Sequence, residues 1–146
     1  MDMKRNLIAL ALMVASISTL KADDKPVTFN QLPKAAQTFI NVNYPNEKMS
    51  FATVDDDFFK PDYHVALVNG VMIQFENDGR LEKIEVRNGD IPDGIVPIQI
   101  VETVKGYYPD ARIIGYEVGK RSYEVKLSNR LELKFNTRFE VIELDD

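Results

Sequence analysis

The sequence predicts an α+β protein built from two tandem copies of one helix-then-four-strands unit. Two blocks of self-similarity carry that reading. Leu32-Pro33, Ile40 and Tyr44-Pro45 recur 64 residues later as Val96-Pro97, Val104 and Tyr108-Pro109. The block Tyr63-x-Val65-x-Leu67-x-Asn69-x-Val71-x-Ile73-x-Phe75 recurs 60 residues later as Tyr123-x-Val125-x-Leu127-x-Asn129-x-Leu131-x-Leu133-x-Phe135. Each copy passes from helical to two-residue apolar periodicity, and repetition at a fixed period sets architecture ahead of local propensity.

The chain opens on a secretory signal. Lys4 and Arg5 precede an apolar run over residues 7–14 that tails off through Ala15-Ser16-Ile17-Ser18 to Ala22, after which Asp23-Asp24-Lys25-Pro26 is polar. That is the order of basic start, short apolar middle and small residue before the cut. The run is shorter than the roughly 20 apolar residues that span a bilayer. We therefore expect residues 1–22 to be removed, a periplasmic or secreted mature chain over 23–146, and no membrane span after cleavage. The cut removes three basic charges and one acidic, so the net charge falls from −5 to −7. Nucleic acid and anionic membranes reward clustered Lys and Arg and are disfavoured as partners. The absence of cysteine rules out disulfides and a lipid-modified cysteine anchor.

The first unit, about residues 26–87, starts with Thr28-Phe29-Asn30-Gln31, a capping-box pattern. Pro33 suits a first helical turn. Leu32, Ala36, Phe39, Ile40 and Tyr44 then fall on one helical face, with Lys34, Gln37, Asn41 and Asn43 opposite, and Pro45 ends the helix. Strands are expected near residues 48–54, 63–68, 71–76 and 81–87. Asn69-Gly70 and Asn77-Asp78-Gly79 supply turns, the former because both positions of a two-residue hairpin need positive φ. The second unit, about residues 95–145, places Val96, Ile100, Val104, Tyr107 and Tyr108 on one helical face. Its strands are expected near residues 112–118, 122–127, 130–135 and 139–144. The last strand aligns two ways: an offset of 60 matches Leu81 to Val141 and an offset of 58 matches it to Phe139.

Alternation assigns faces. Tyr63, Val65, Leu67, Val71, Ile73 and Phe75, with their counterparts in the second copy, form the core side under the helices. The other side carries His64, Ala66, Val68, Met72, Gln74 and Glu76 in the first copy, but Glu124, Lys126, Ser128, Arg130, Glu132, Lys134 and Asn136 in the second. One half is semi-apolar and the other charged, and an antiparallel sheet can leave such a face in water.

With its signal segment, its Asp-Asp-Lys-Pro start and two units, the first bearing Leu-Pro…Tyr-Pro and Tyr-x-Val-x-Leu-x-Asn-Gly and the second Val-Pro…Tyr-Pro and Tyr-x-Val-x-Leu-x-Asn, the chain resembles the PepSY-like, β-lactamase-inhibitor-like proteins exported by Gram-negative bacteria. The resemblance covers about residues 26–145. It implies a fold similar to the β-lactamase inhibitory protein: an eight-stranded antiparallel sheet, both helices on one face, the other face open and concave. It implies no catalytic motif.

The residues themselves point the same way. One histidine and no cysteine leave no set for a usual zinc site, and no glycine-rich phosphate loop or His-Glu-x-x-His occurs. His64 would have to serve any Ser-His-Asp triad, and the repeat places it on the exposed face, equivalent to Glu124. No enzyme activity, cofactor or metal is assigned. The copies differ most between their first two strands, where Asp55-Asp56-Asp57-Phe58-Phe59-Lys60-Pro61-Asp62 makes the first loop four residues longer than the second. Carboxylates beside aromatics suit a partner's basic pocket, since aromatics anchor interfaces. A solvated turn with one phenylalanine folded under the sheet edge is the plainer alternative. The loop lacks the alternating Asp-x-Asp-x-Asp-Gly spacing of a calcium loop. The candidate partner-binding residues are Asp55, Asp56, Asp57, Phe58, Phe59, Tyr63, His64, Met72 and Gln74. They support a non-catalytic binding or inhibitor-like module for an envelope protein or peptide, with a self-associating subunit of the envelope as the alternative.

Overall fold

The computed structural model describes residues 24–55 and 61–146. Nine strands form one antiparallel sheet whose spatial order is the chain order: β1 Asp24–Pro26, β2 Met49–Asp55, β3 Asp62–Leu67, β4 Met72–Phe75, β5 Leu81–Glu85, β6 Ile113–Val118, β7 Ser122–Leu127, β8 Glu132–Asn136 and β9 Val141–Asp145. The expected eight strands are all present. The ninth, β1, corrects the count: Asp24, Lys25 and Pro26 pair with Asp55, Val54 and Thr53 at the outer edge of β2. A three-residue strand ending in proline has too little periodicity to read from sequence, and proline is tolerated at a sheet edge.

Helices α1 (Lys34–Asn43) and α2 (Ile98–Tyr107) contribute Ala36, Ile40, Ile100 and Val104 to the same buried cluster as Val65, Ile73, Phe75, Val125, Leu133 and Phe135. Both helices thus lie on one side of the sheet. Pro33 and Pro97 each stand one position before the first helical residue. The Thr28–Gln31 capping box is present, but it closes a separate 3-10 turn over Phe29–Gln31. Gln37, expected on the polar side, is buried. Its Nε2 donates to the carbonyls of Leu32 (2.8 Å) and Asn30 (3.3 Å), so the side chain ties that turn to α1. Tyr107 faces solvent because Tyr108, 40° further round from Val104 by helical geometry, takes the inward position.

Irregularities recur with the repeat. Ser50 is an extra residue between the Met49–Leu67 and Phe51–Ala66 pairs, and Ile114 stands likewise between Ile113–Leu127 and Gly115–Lys126. Glu82 is extra between Gln74–Lys83 and Phe75–Leu81, and Ile142 between Lys134–Glu143 and Phe135–Val141. Such bulges bend the strand and sharpen its twist. The last pair settles the open register: Val141 is the counterpart of Leu81, and Phe139 is the counterpart of Gly79 in the preceding turn.

Candidate functional site

Directly opposed residues of antiparallel strands share a face, so the pairing builds the open side of the sheet row by row. Phe51, Ala66 and Met72 oppose one another across β2, β3 and β4 as a short apolar stripe, with Phe51 49% and Met72 45% exposed. The same row continues through Glu85, Gly115, Lys126 and Glu132. Beside it run Thr53, His64, Gln74, Lys83 and Glu117, then Glu124, Lys134 and Glu143. At the end nearest the long loop, Asp55 directly opposes Asp62.

That end gathers carboxylates that His64 and Gln74 offset only in part. Burial, followed by the charges of Asp55 and Glu76 and offset by His64 and Gln74, holds the Asp62 carboxyl above its ordinary proton affinity. Glu82 is raised in the same sense by burial and by Asp62 and Glu76, although Gln74 Nε2 donates to its Oε2 at 3.2 Å. Glu124, in the charged half, is raised by burial and by Glu117 across the strand pair. Lys83 is raised by its 3.1 Å contact with Glu85. Carboxylates held near one another and partly desolvated favour a cation beside them.

Of the sequence candidates, His64, Met72 and Gln74 meet with Lys83 and Glu85 around a depression of about 190 Å³. A second depression of about 290 Å³ shares Lys83 and Glu85 and extends over Gly115, Glu117 and Glu124. Gly115 keeps the face low there, since a Cβ would stand 3.2 Å from Lys126 Cβ. Tyr63 does not join them. It lies on the helix side between Val54 and Phe75, packed against the core. Asp55 ends β2, whereas Asp56, Asp57, Phe58 and Phe59 lie outside the described residues.

Phe51 went unnoticed in the sequence because the bulge at Ser50 breaks the alternation that would have assigned it a face. The Lys83–Glu85 pair was hidden likewise by the bulge at Glu82. Among the described residues no group of three or more ligands is arranged to hold a metal ion, and no helix is long and apolar enough to cross a membrane. A larger concavity of about 720 Å³ lies on the helix side, its lining mixing Ile91, Val101, Val104 and Ile113 with Asp90, Asp93, Lys105 and Arg112.

A family model described as "Putative beta-lactamase-inhibitor-like, PepSY-like" matches residues 18–60 and 61–143. Three solved structures are similar. A Bacteroides vulgatus protein described as a "putative periplasmic protein" of the DUF2874 family is 38% identical, with a TM-score of 0.82 over 87% of this chain and 100% of that one. A Bacteroides thetaiotaomicron protein described as a "putative calcium-regulated periplasmic protein" is also 38% identical, with a TM-score of 0.82 over 85% of this chain and 98% of that one. A second B. vulgatus protein, described as a "putative periplasmic protein of unknown function", is 26% identical, with a TM-score of 0.80 over 84% of this chain and 99% of that one. No curated protein matches the chain.

Proposed function

Because the chain belongs to the PepSY-like family and is a periplasmic or secreted protein like its relatives, we propose that it is a non-catalytic module that binds a basic, partly apolar segment of an envelope protein or peptide. One observation carries the reading: partly exposed Phe51 and Met72, on either side of buried Ala66, share the open face with opposed carboxylates, Asp55 and Asp62, beyond the intervening Thr53–His64–Gln74 row, and among the described residues no basic residue is paired directly across from those carboxylates. The stripe supplies an anchor and the carboxylates supply steering. His64 and Gln74 add polar contacts between the two. A single histidine and no cysteine fit this use better than catalysis.

Capture from a periplasmic extract tests it. Phe51→Ala combined with Met72→Ala should weaken capture by about thirtyfold, the loss of one hot-spot anchor, while the melting temperature stays close to the parent's. Asp55→Asn with Asp62→Asn should chiefly slow association and flatten its salt dependence, because charges at the rim of an interface act on encounter. Undiminished capture by the apolar double variant would sink the proposal. An oligomer on size determination, with no captured protein, would favour self-association through the same stripe.

Calcium regulation is a second reading, favoured by the B. thetaiotaomicron relative and by the raised proton affinities of Asp62 and Glu82. Repeating the capture with calcium and with chelator separates the two: calcium-dependent capture that Asp62→Asn abolishes would support it.

A further inference from the structure

Beyond the open face, the outer edge of β9 is a second binding element, and the internal repeat specifies what it takes. β9 is the counterpart of β5, with Leu81, Lys83, Ile84 and Glu85 equivalent to Val141, Glu143, Leu144 and Asp145. β5 has a neighbour on its far side, β6, in which Glu117, Tyr116 and Gly115 oppose Lys83, Ile84 and Glu85. Ile84 is consequently 0% exposed. Among the described residues no strand flanks β9 beyond β8, and Leu144 is 53% exposed. An apolar edge of this kind is a template for an added strand.

The charges define the occupant. In the first copy Lys83 faces Glu117 across the β5–β6 pair, a complementary arrangement. In the second copy Glu143, which Lys134 already faces from β8, stands where Lys83 stood, so the complementary residue on its outer side is basic where β6 offers an acidic one. A second copy of β9 does not meet that requirement. Antiparallel pairing centred on Glu143 would set the two Glu143 carboxylates directly opposite one another, and like charges so placed are destabilising.

We infer that β9 accepts a tenth, antiparallel strand from a partner protein, carrying in order a small residue, a bulky aromatic or aliphatic residue and a lysine or arginine, opposite Asp145, Leu144 and Glu143. The aromatic covers Leu144 as Tyr116 covers Ile84, the basic residue pairs with Glu143, and backbone hydrogen bonds supply the rest. This edge borders the open face but uses none of the Phe51, Ala66 or Met72 stripe.

The probe is a synthetic heptapeptide with the sequence of residues 112–118 and Glu117→Lys, Arg-Ile-Ile-Gly-Tyr-Lys-Val, compared with the parent sequence Arg-Ile-Ile-Gly-Tyr-Glu-Val. Titrated into isotopically labelled protein, the lysine peptide should shift amide signals of β9 and bind about threefold or more tightly than the glutamate peptide, the size of one cross-strand charge pair. In Glu143→Lys protein the preference should invert. Leu144→Asp, a change at an exposed site, should abolish binding while leaving the rest of the spectrum in place. Equal binding of both peptides, signal shifts confined to the open face or the β5–β6 junction, or no binding would each overturn the inference. So would concentration-dependent dimerisation that Leu144→Asp abolishes, which would make a second copy the occupant.

Discussion

Phe75→Ala is expected to cost the fold about 3–5 kcal/mol, the usual loss when a fully buried phenylalanine is truncated and its cavity only partly collapses. Phe75 is 0% exposed, stands between Tyr63 and Leu81 on the core side, and meets the Phe39 ring of α1 edge-to-face at 5.5 Å. The substitution therefore removes burial and the contact that seats α1 on the sheet. Phe135→Ala should cost a similar amount, because the repeat gives it the same place between Tyr123 and Val141. Domains of this size are stable by about 5–15 kcal/mol, so either change removes a large fraction of the total. Gln74→Ala and Lys134→Ala, on the open face, should stay within about 0.5 kcal/mol. Chemical denaturation of the four variants checks the ranking, and its reversal would mean that the two faces of the sheet are exchanged.

Gly79→Ala is expected to destabilise by about 1–3 kcal/mol from backbone strain alone, and by more once packing is included. Gly79 turns the β4–β5 hairpin at φ +89°, its N–H donating to the Glu76 carbonyl at 2.8 Å. A Cβ there would lie 2.9 Å from the backbone N of Ala36 and from Pro33 Cβ, so the start of α1 would have to shift. The equivalent turn of the second copy holds Phe139 at φ +62°, stacked on Tyr123 at 5.4 Å. The two copies thus close the same turn differently, one by admitting a helix and the other by adding a ring. Thermal melts of Gly79→Ala against the parent measure the effect, and an unchanged melting temperature would contradict this account of the turn.

That pair of residues also shows how far the fold was legible. Strict two-residue alternation made β3, β4, β7 and β8 and their core face readable, since register follows from which side chains must be buried. Wherever a bulge intervenes, alternation fails. Ser50 concealed the face of Phe51, Glu82 concealed the Lys83–Glu85 pair, and Ile142 left Val141 and Phe139 competing for one alignment. Gln37 looked like a solvent residue because composition does not reveal a buried amide whose donors are met by backbone carbonyls. Among the candidate residues, alternation within one strand pair puts His64, Met72 and Gln74 on the open face. Their neighbour Glu117 belongs to the second copy and is brought beside Lys83 only by the β5–β6 pairing. Tyr63 lies on the core side that alternation gives it, away from these three, since odd and even residues of a strand face opposite ways.

The central claim, that the open sheet face is the binding surface, is tested most directly by carboxyl footprinting of the captured complex against the free protein. Asp62, Glu82, Glu117 and Glu124 should lose reactivity in the complex, while Glu102 on α2 and Asp93 in the connector between the two units should keep theirs. Protection of Glu102 and Asp93, with the four open-face carboxylates as reactive as before, would contradict the account and move the binding surface to the helix side.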